Sequence, residues 1–324
     1  MNSQNRTQKI IVIGGPTASG KTELALMISK IISAEIINAD SVQVYKYLNI
    51  GSNKGKLTRI ATEMIDHKPL PVMNVDNSDM KGHLFSFVEP DVNFTLYDYY
   101  SVCSKLILNF NIQKKIPILV GGTGLYIDSI LNKYNLPNIE IDTTLRNKLN
   151  KMEVQDLQKI LREKDSTVYF NLNNSDKNNP RRLIRLIEKI NTDSKNKNTN
   201  NPLDSIDLDS LFIYPKFQKS QLMKKINERV VQMFEDGFVS EVEGLIDMGY
   251  DLHNKAMQST GYKQIYEMLL GIKDESIKEC IQRVQNAHKQ YAKRQITWFE
   301  GEGRGYDLIK TDSENLEQIV MNFI

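Results

Sequence analysis

Residues 9–26, KIIVIGGPTASGKTELAL, constrain the fold more than any other stretch of the chain. A β-branched run stops at a double glycine and an apolar-periodic segment follows at once, so strand, tight turn and helix succeed one another without a gap. The eight residues from Gly15 to Thr22 match GxxxxGK[ST] at every position. The two glycines let the backbone of Gly15, Pro16, Thr17, Ala18, Ser19 and Gly20 curl so that N–H groups and a helix N-terminus face an anion. Lys21 adds a point charge and Thr22 offers a hydroxyl to Mg²⁺. The loop therefore predicts a di- or triphosphate ligand and leaves open which one.

Further short runs, AEIINAD (34–40), IPILVGG (116–122) and SLFIYP (210–215), are apolar on both faces and end in glycine, proline or an acidic residue. Strands covered by helices on both sides need that pattern, so the reading is an α/β fold: a P-loop NTPase-like parallel sheet flanked by helices. The first helix is expected over 22–32, with Leu24, Ala25, Met27, Ile28 and Ile31 on its inner face. From 135 to 201 the chain turns Asn- and Lys-rich, with helical periodicity in 145–161 and 183–190. We read this as a helical insertion within a catalytic core of 1–134 and 202–324, its tracts NLNNSDKNNP and NTDSKNKNTNNP being solvated loops. Helices are expected at 216–235, 237–248, 262–271 and 275–299, then a short strand at 305–311 and a terminal helix.

Lys+Arg 42 against Asp+Glu 40 gives a net charge of +2, so bulk charge neither requires nor excludes nucleic acid. Cys103 and Cys280 are far apart and offer no disulfide framework or cysteine metal site. The N-terminus is polar, and its apolar run is too short for a leader or a span, which suits a cytoplasmic protein without a membrane segment. No heptad pattern is sustained, and a monomer is the simplest expectation.

At the carboxyl ends of the strands, where the sites of open α/β sheets lie, stand Asp40 and Thr123. Asp40 either holds Mg²⁺, accepts a proton from a nucleophile, or caps the following helix. Thr123, in GGTGLY, either donates to a leaving oxygen or caps its own helix. The strand before it ends in Gly121 and Gly122, without the aspartate that Mg²⁺–ATP hydrolysis uses in such folds. Near the C-terminus, ECIQRVQNAHKQYAKRQITWFEGE (279–302) reads as a helix. Ile277, Ile281, Val284, Tyr291 and Trp298 are expected on its inner stripe, Arg283, Gln290, Arg294 and Thr297 on its flank, and Lys289 and Lys293 further round. Solvation explains most such basic faces, and nucleic-acid contact needs a second basic element. NPRRLIRLIEK (179–189) and the cluster Lys216, Lys219, Lys224, Lys225 and Arg229 supply candidates.

GPTASGKT, ADSVQVYKYLNIGS, GGTGLY, NNPRRLIRLIE, GYKQ and AKRQITWF occur in an order that resembles the tRNA dimethylallyltransferases, over nearly the whole chain. The resemblance implies transfer of a dimethylallyl group from dimethylallyl diphosphate to N6 of adenosine 37, in tRNAs reading codons that begin with U, with Mg²⁺ as cofactor. It makes Asp40 the general base and Thr123 a residue near the bridging oxygen. The 15–22 loop and Arg229 become the diphosphate cradle. It further implies that the insertion and the C-terminal helices grip the anticodon stem-loop, with Arg181, Arg182, Arg185, Arg283, Lys289, Lys293 and Arg294 on phosphates and Ser41 and Gln43 reading the base or its neighbours. Gly55, Asn179, His288, Lys289 and Glu300 depart from the family pattern, none within the loop or at Asp40 or Thr123. Three rivals share parts of this constellation: a P-loop small-molecule kinase, a prenyltransferase of free adenine nucleotides, and a tRNA-binding protein without catalysis.

Overall fold

The computed structural model describes residues 6–76, 78–136, 142–193 and 201–324. The chain divides into two compact units, one formed by 1–134 with 202–324 and the other by 135–201.

The larger unit is built on one eight-stranded sheet: β1 (Arg6–Gly14), β2 (Ile36–Asn38), β3 (Leu57–Ile65), β4 (Lys68–Val75), β5 (Lys81–His83), β6 (Ile118–Gly121), β7 (Ile206–Pro215) and β8 (Leu308–Thr311), in the order β3-β4-β5-β2-β6-β1-β7-β8. From β5 to β8 every neighbouring pair is parallel. β1 lies between β6 and β7, and Ile10, Ile11, Val12 and Ile13 are wholly buried, as a strand covered on both faces requires. Each such side chain removed from water contributes about 1.5–3 kcal/mol. The helices are α1 (Lys21–Ile32), α2 (Leu96–Ile112) and α3 (Gly124–Leu131) before the insertion. α1 buries Leu24, Ala25 and Ile28, whereas Met27, expected on the inner face, is exposed.

The parallel arrangement stops at one edge. β3 and β4 form an antiparallel hairpin, and β4 runs antiparallel to β5. These three strands and α2 have no counterpart in the sequence reading. β3 is largely exposed and so lacks a buried run, and the hairpin turns on Asp66 and His67, both at positive φ, without the glycine that usually announces such a turn.

The smaller unit contains α4 (Thr143–Leu149), α5 (Val154–Lys164), α6 (Ser166–Asn171), α7 (Asn174–Lys177) and α8 (Pro180–Asp193). Its core is Leu149, Leu157, Leu161, Leu183, Ile184 and Ile187. Beneath it Arg146 clasps the buried Glu188 with two hydrogen bonds of 2.6 and 2.7 Å. The tract 171–180, expected as a loop, is mostly capped helical turns. Asn173 Oδ1 accepts from the Asp176 N–H and starts α7, and Asn179 Oδ1 accepts from the Arg181 and Arg182 N–H groups at the start of α8. Asn179 thus performs the capping that an aspartate performs. Most of the second Asn-rich tract lies outside the described residues.

After β7 the larger unit continues with α9 (Lys219–Glu235), α10 (Phe238–Asp247), α11 (Tyr262–Leu269), α12 (Ile277–Phe299), β8 and α13 (Leu316–Phe323). α12 begins at a capping box of Ser276 and Glu279. Its inner stripe is rotated from the expected one: Cys280, Val284, His288, Ala292, Gln295, Ile296 and Phe299 are buried, and Ile277 is exposed. Two polar residues in that stripe, His288 and Gln295, hide it from a hydrophobicity pattern. Both cysteines are buried and free. Among the described residues no helix is long and apolar enough to cross a membrane.

Candidate active site

The loop between β1 and α1 is held from three sides. Lys21 Nζ donates to its own Pro16 carbonyl at 2.7 Å, Arg229 of α9 donates to Thr17 Oγ1 at 2.6 Å, and the Thr17 N–H donates to Gln295 Oε1 of α12 at 2.8 Å. Gln295 Nε2 in turn donates to the Gly122 carbonyl at 2.8 Å. One buried amide therefore ties the phosphate loop to the end of β6. Its approach explains the second glycine of GGTGLY, since a Cβ on Gly122 would stand 2.2 Å from Gln295 Nε2.

A cavity of about 390 Å³ opens over the loop, with Thr17 to Glu23, Asp40, Gln43, Lys54, Gly121, Gly122 and Arg229 in its walls. Burial pushes Lys21 down to about 8, against the attraction of Asp40 and with help from Arg229, and burial pushes Arg229 down to about 10. Lys21 and Arg229 thus share the field of Asp40, and with Lys54 and Lys225 the walls carry four basic side chains against the carboxylates of Asp40 and Glu23. Ser19 Oγ and Arg229 Nε are buried there without partners. Surplus positive charge with unfilled hydrogen-bonding capacity is the character of an anion cradle.

Asp40 is positioned by Asn38, whose Oδ1 accepts from the Asp40 N–H at 3.1 Å and whose Nδ2 donates to the Leu84 carbonyl at 3.0 Å. Asp40 Oδ1 accepts from the Val42 N–H at 2.9 Å and more weakly from that of Gln43, while Oδ2 points towards Gly122. No helix directly follows Asp40, so it caps none: Oδ1 braces the turn 41–44 and Oδ2 is left free of that turn. Thr123 does not cap α3 with its side chain. Its hydroxyl accepts from the Ser41 N–H at 2.9 Å and donates to Ser41 Oγ at 3.2 Å, bracing the turn that carries Asp40. Gln43 Nε2 is committed to the Ser52 and Asn53 carbonyls.

A second cavity, of about 260 Å³, shares Thr17, Asp40, Ser52, Asn53 and Arg229 with the first, and adds Ser41, Gln258, Ser259, Thr260, His288, Tyr291 and Arg294. The segment 49–54 in these walls is held by Glu241 of α10. Its carboxylate accepts from the Asn49, Ile50 and Gly51 N–H groups and from the Tyr262 hydroxyl at 2.6 Å. Lys54 is buried, donates to the Tyr45 carbonyl and to Ser86 Oγ, and is pushed down to about 7 by burial. Gly55 sits at φ +73°, where proline's ring could not follow, and a Cβ there would collide with Asp76.

Gln295, Lys54 and Glu241 were missed as site residues. Gln295 lies within AKRQITWF, but only the fold shows the amide turned inward. The predicted phosphate-contacting residues fare unevenly. Arg283 is corrected: its guanidinium is spent on Glu267, Glu275 and the Gln264 carbonyl. Arg182 pairs with Asp176, and Arg185 stands 3.7 Å from Glu188. Arg181, Lys293 and Arg294 are exposed, Arg294 lying over the Tyr291 ring, and Lys289 is half-buried. Glu300 pairs with Lys310 at 3.0 Å, and His288 is buried.

A phosphate loop at the carboxyl ends of a parallel sheet, with an aspartate between two adjoining cavities, defines a P-loop enzyme. Over residues 43–302 the chain matches the family model described as IPP transferase, and it belongs to that family. It is 34% identical over 329 residues to the tRNA dimethylallyltransferase of Thermoanaerobacter sp. (strain X514), covering 98% of this chain and 96% of that one. Among solved structures it is similar to the full-length tRNA isopentenylpyrophosphate transferase of Bacillus halodurans, 29% identical with a TM-score of 0.66 over 98% of this chain and 95% of that one. It is also similar to a tRNA isopentenylpyrophosphate transferase of Staphylococcus epidermidis, 28% identical with a TM-score of 0.63 over 97% of each chain.

Proposed function

We propose that the protein transfers the dimethylallyl group of dimethylallyl diphosphate to N6 of adenosine 37 in tRNA. The observation that carries this reading is the place of Asp40 in the wall shared by two cavities, one over the phosphate loop with Lys21 and Arg229, the other sharing Arg229 and adding Arg294, several hydroxyls and a tyrosine. A donor diphosphate in the first and an acceptor base in the second would meet at that carboxylate. The N6 lone pair attacks the allylic carbon, the C–N bond forms as the C–O bond breaks, and diphosphate leaves with the bonding electrons. Asp40 accepts the proton released from nitrogen.

The leaving group gains negative charge as the bond breaks, so the loop N–H groups, Lys21 and Arg229 favour the transition state over the ground state. Mg²⁺ suits the residues present. Thr22 stands exposed in the wall of the cradle, and among the described residues no group of three or more His, Cys, Asp or Glu could hold a metal ion, so the ion would be held by that hydroxyl, diphosphate oxygens and water. It would supply charge neutralisation of the leaving group. An adenine stacked in an anticodon loop must be extruded to reach Asp40, at a cost of a few kcal/mol. Exposed Arg294 and Lys293 on α12 are suited to holding the surrounding phosphates.

Single-turnover incubation with dimethylallyl diphosphate, Mg²⁺ and an unmodified tRNA, followed by mass analysis of the digested anticodon loop, tests the proposal. A five-carbon addition at adenosine 37 is expected. Absence of the addition with tRNA still bound would reject it.

A further inference from the structure

His288 is only 5% exposed, and its Nε2 has no hydrogen-bond partner. It nevertheless belongs to the wall of the second cavity, beside Asp40, Arg229, Ser259, Thr260 and Tyr291. Gly261 stands close to the same ring: a Cβ there would lie 3.5 Å from Nε2. Burying a polar atom without a partner opposes folding, so an unpaired Nε2 on a residue of this cavity wall leaves hydrogen-bonding capacity for a ligand. Burial and the neighbouring Arg229 guanidinium push the imidazole down to about 3. The ring is therefore neutral, with one nitrogen able to donate and the other to accept.

We propose that His288 is a specificity-determining residue of the acceptor side of the site, its imidazole hydrogen-bonding the edge of the purine base that lies against Asp40. This rests on the acceptor assignment made above. A purine edge presents both donors and acceptors, and a neutral imidazole complements either, whereas an imidazolium only donates. The placement on α12 fits the task. His288 precedes Gln295 by two helical turns on the same buried face, so one helix sets an amide against the phosphate loop and an imidazole against the acceptor cavity.

The test compares the full-length protein with His288→Ala and His288→Gln, each titrated by anisotropy with two anticodon stem-loop RNAs that differ only at position 37, adenine or an abasic site. In the parent, adenine binds more tightly. In His288→Ala that preference falls about tenfold, the worth of one good hydrogen bond, while affinity for the abasic RNA changes less than twofold. His288→Gln, which keeps a donor and an acceptor, recovers part of the preference. Equal losses for both RNAs in His288→Ala would make the residue a structural one, and an unchanged preference would remove it from recognition; either overturns the inference while leaving the acceptor assignment standing. A parent that binds both RNAs equally would overturn the acceptor assignment and this inference with it.

Discussion

Arg229 and Arg283 are partly buried arginines on the long C-terminal helices, yet they sit in opposite electrostatic settings. Arg283 is surrounded by Glu267 and Glu275 and donates to both, so its charge is cancelled where it stands. Arg229 has a neutral hydroxyl, Thr17 Oγ1, as its hydrogen-bond partner and shares the field of Asp40 with Lys21. The first joins α11 to α12. The second stores uncompensated positive charge beside the phosphate loop, an arrangement that costs folding energy unless an anion arrives. A basic residue in a sequence acquires its meaning from the carboxylates the fold brings to it.

The predictions that test this contrast begin with the carboxylate between the two cavities. Asp40→Ala should slow prenyl transfer by roughly 10²–10⁴-fold with tRNA affinity little changed; single-turnover rates within a few-fold of the parent would take Asp40 out of the chemistry. Arg229→Met should weaken inorganic diphosphate binding by about 10–100-fold in calorimetric titration, the range for a lost charged hydrogen bond, and Arg283→Met should leave that titration unmoved. Equal effects from the two would erase the distinction. Lys21 holds its proton below pH 8 in the free protein and loses it above. Diphosphate affinity should therefore fall by up to about tenfold per pH unit above 8, and Lys21→Arg, which keeps its charge, should flatten that fall. If the variant titrates like the parent, another group is responsible.

Arg283→Met should instead act on stability, lowering it by about 1–3 kcal/mol in denaturant unfolding, because Glu267 and Glu275 lose their shared partner. An unchanged midpoint would show that the ion pairs are not stabilising. The smallest effect belongs to the exposed rim: Arg294→Ala should reduce the slope of log affinity for tRNA against log salt by about one unit. A slope equal to the parent's would place that guanidinium off the phosphates.

Legibility differed by element for physical reasons. β1, the loop and α1 were readable because consecutive residues carry their signals: a wholly buried apolar run, two glycines and a helical period. The edge hairpin β3–β4 was not, being solvated and turned by Asp66 and His67 instead of glycine. On α12 the inner face was misread because its buried positions include Gln295 and His288, polar residues that burial patterns assign to the surface. The capping asparagines of the insertion read as loop residues because the same side chain serves both, and only the helix behind Asn179 distinguishes them.

The sequence by itself determined the phosphate loop, the order of strand and helix around it, and the candidacy of Asp40, since each depends on residues close together in the chain. Tertiary structure decided how distant groups complete the site. It brought Gln295 to Thr17 and Gly122, Arg229 to Thr17, and Glu241 to the 49–51 backbone, and it spent Arg283 on two glutamates. Those partners stand up to hundreds of residues apart along the chain, and whether a buried polar group has found a partner is settled by packing, which no local pattern encodes.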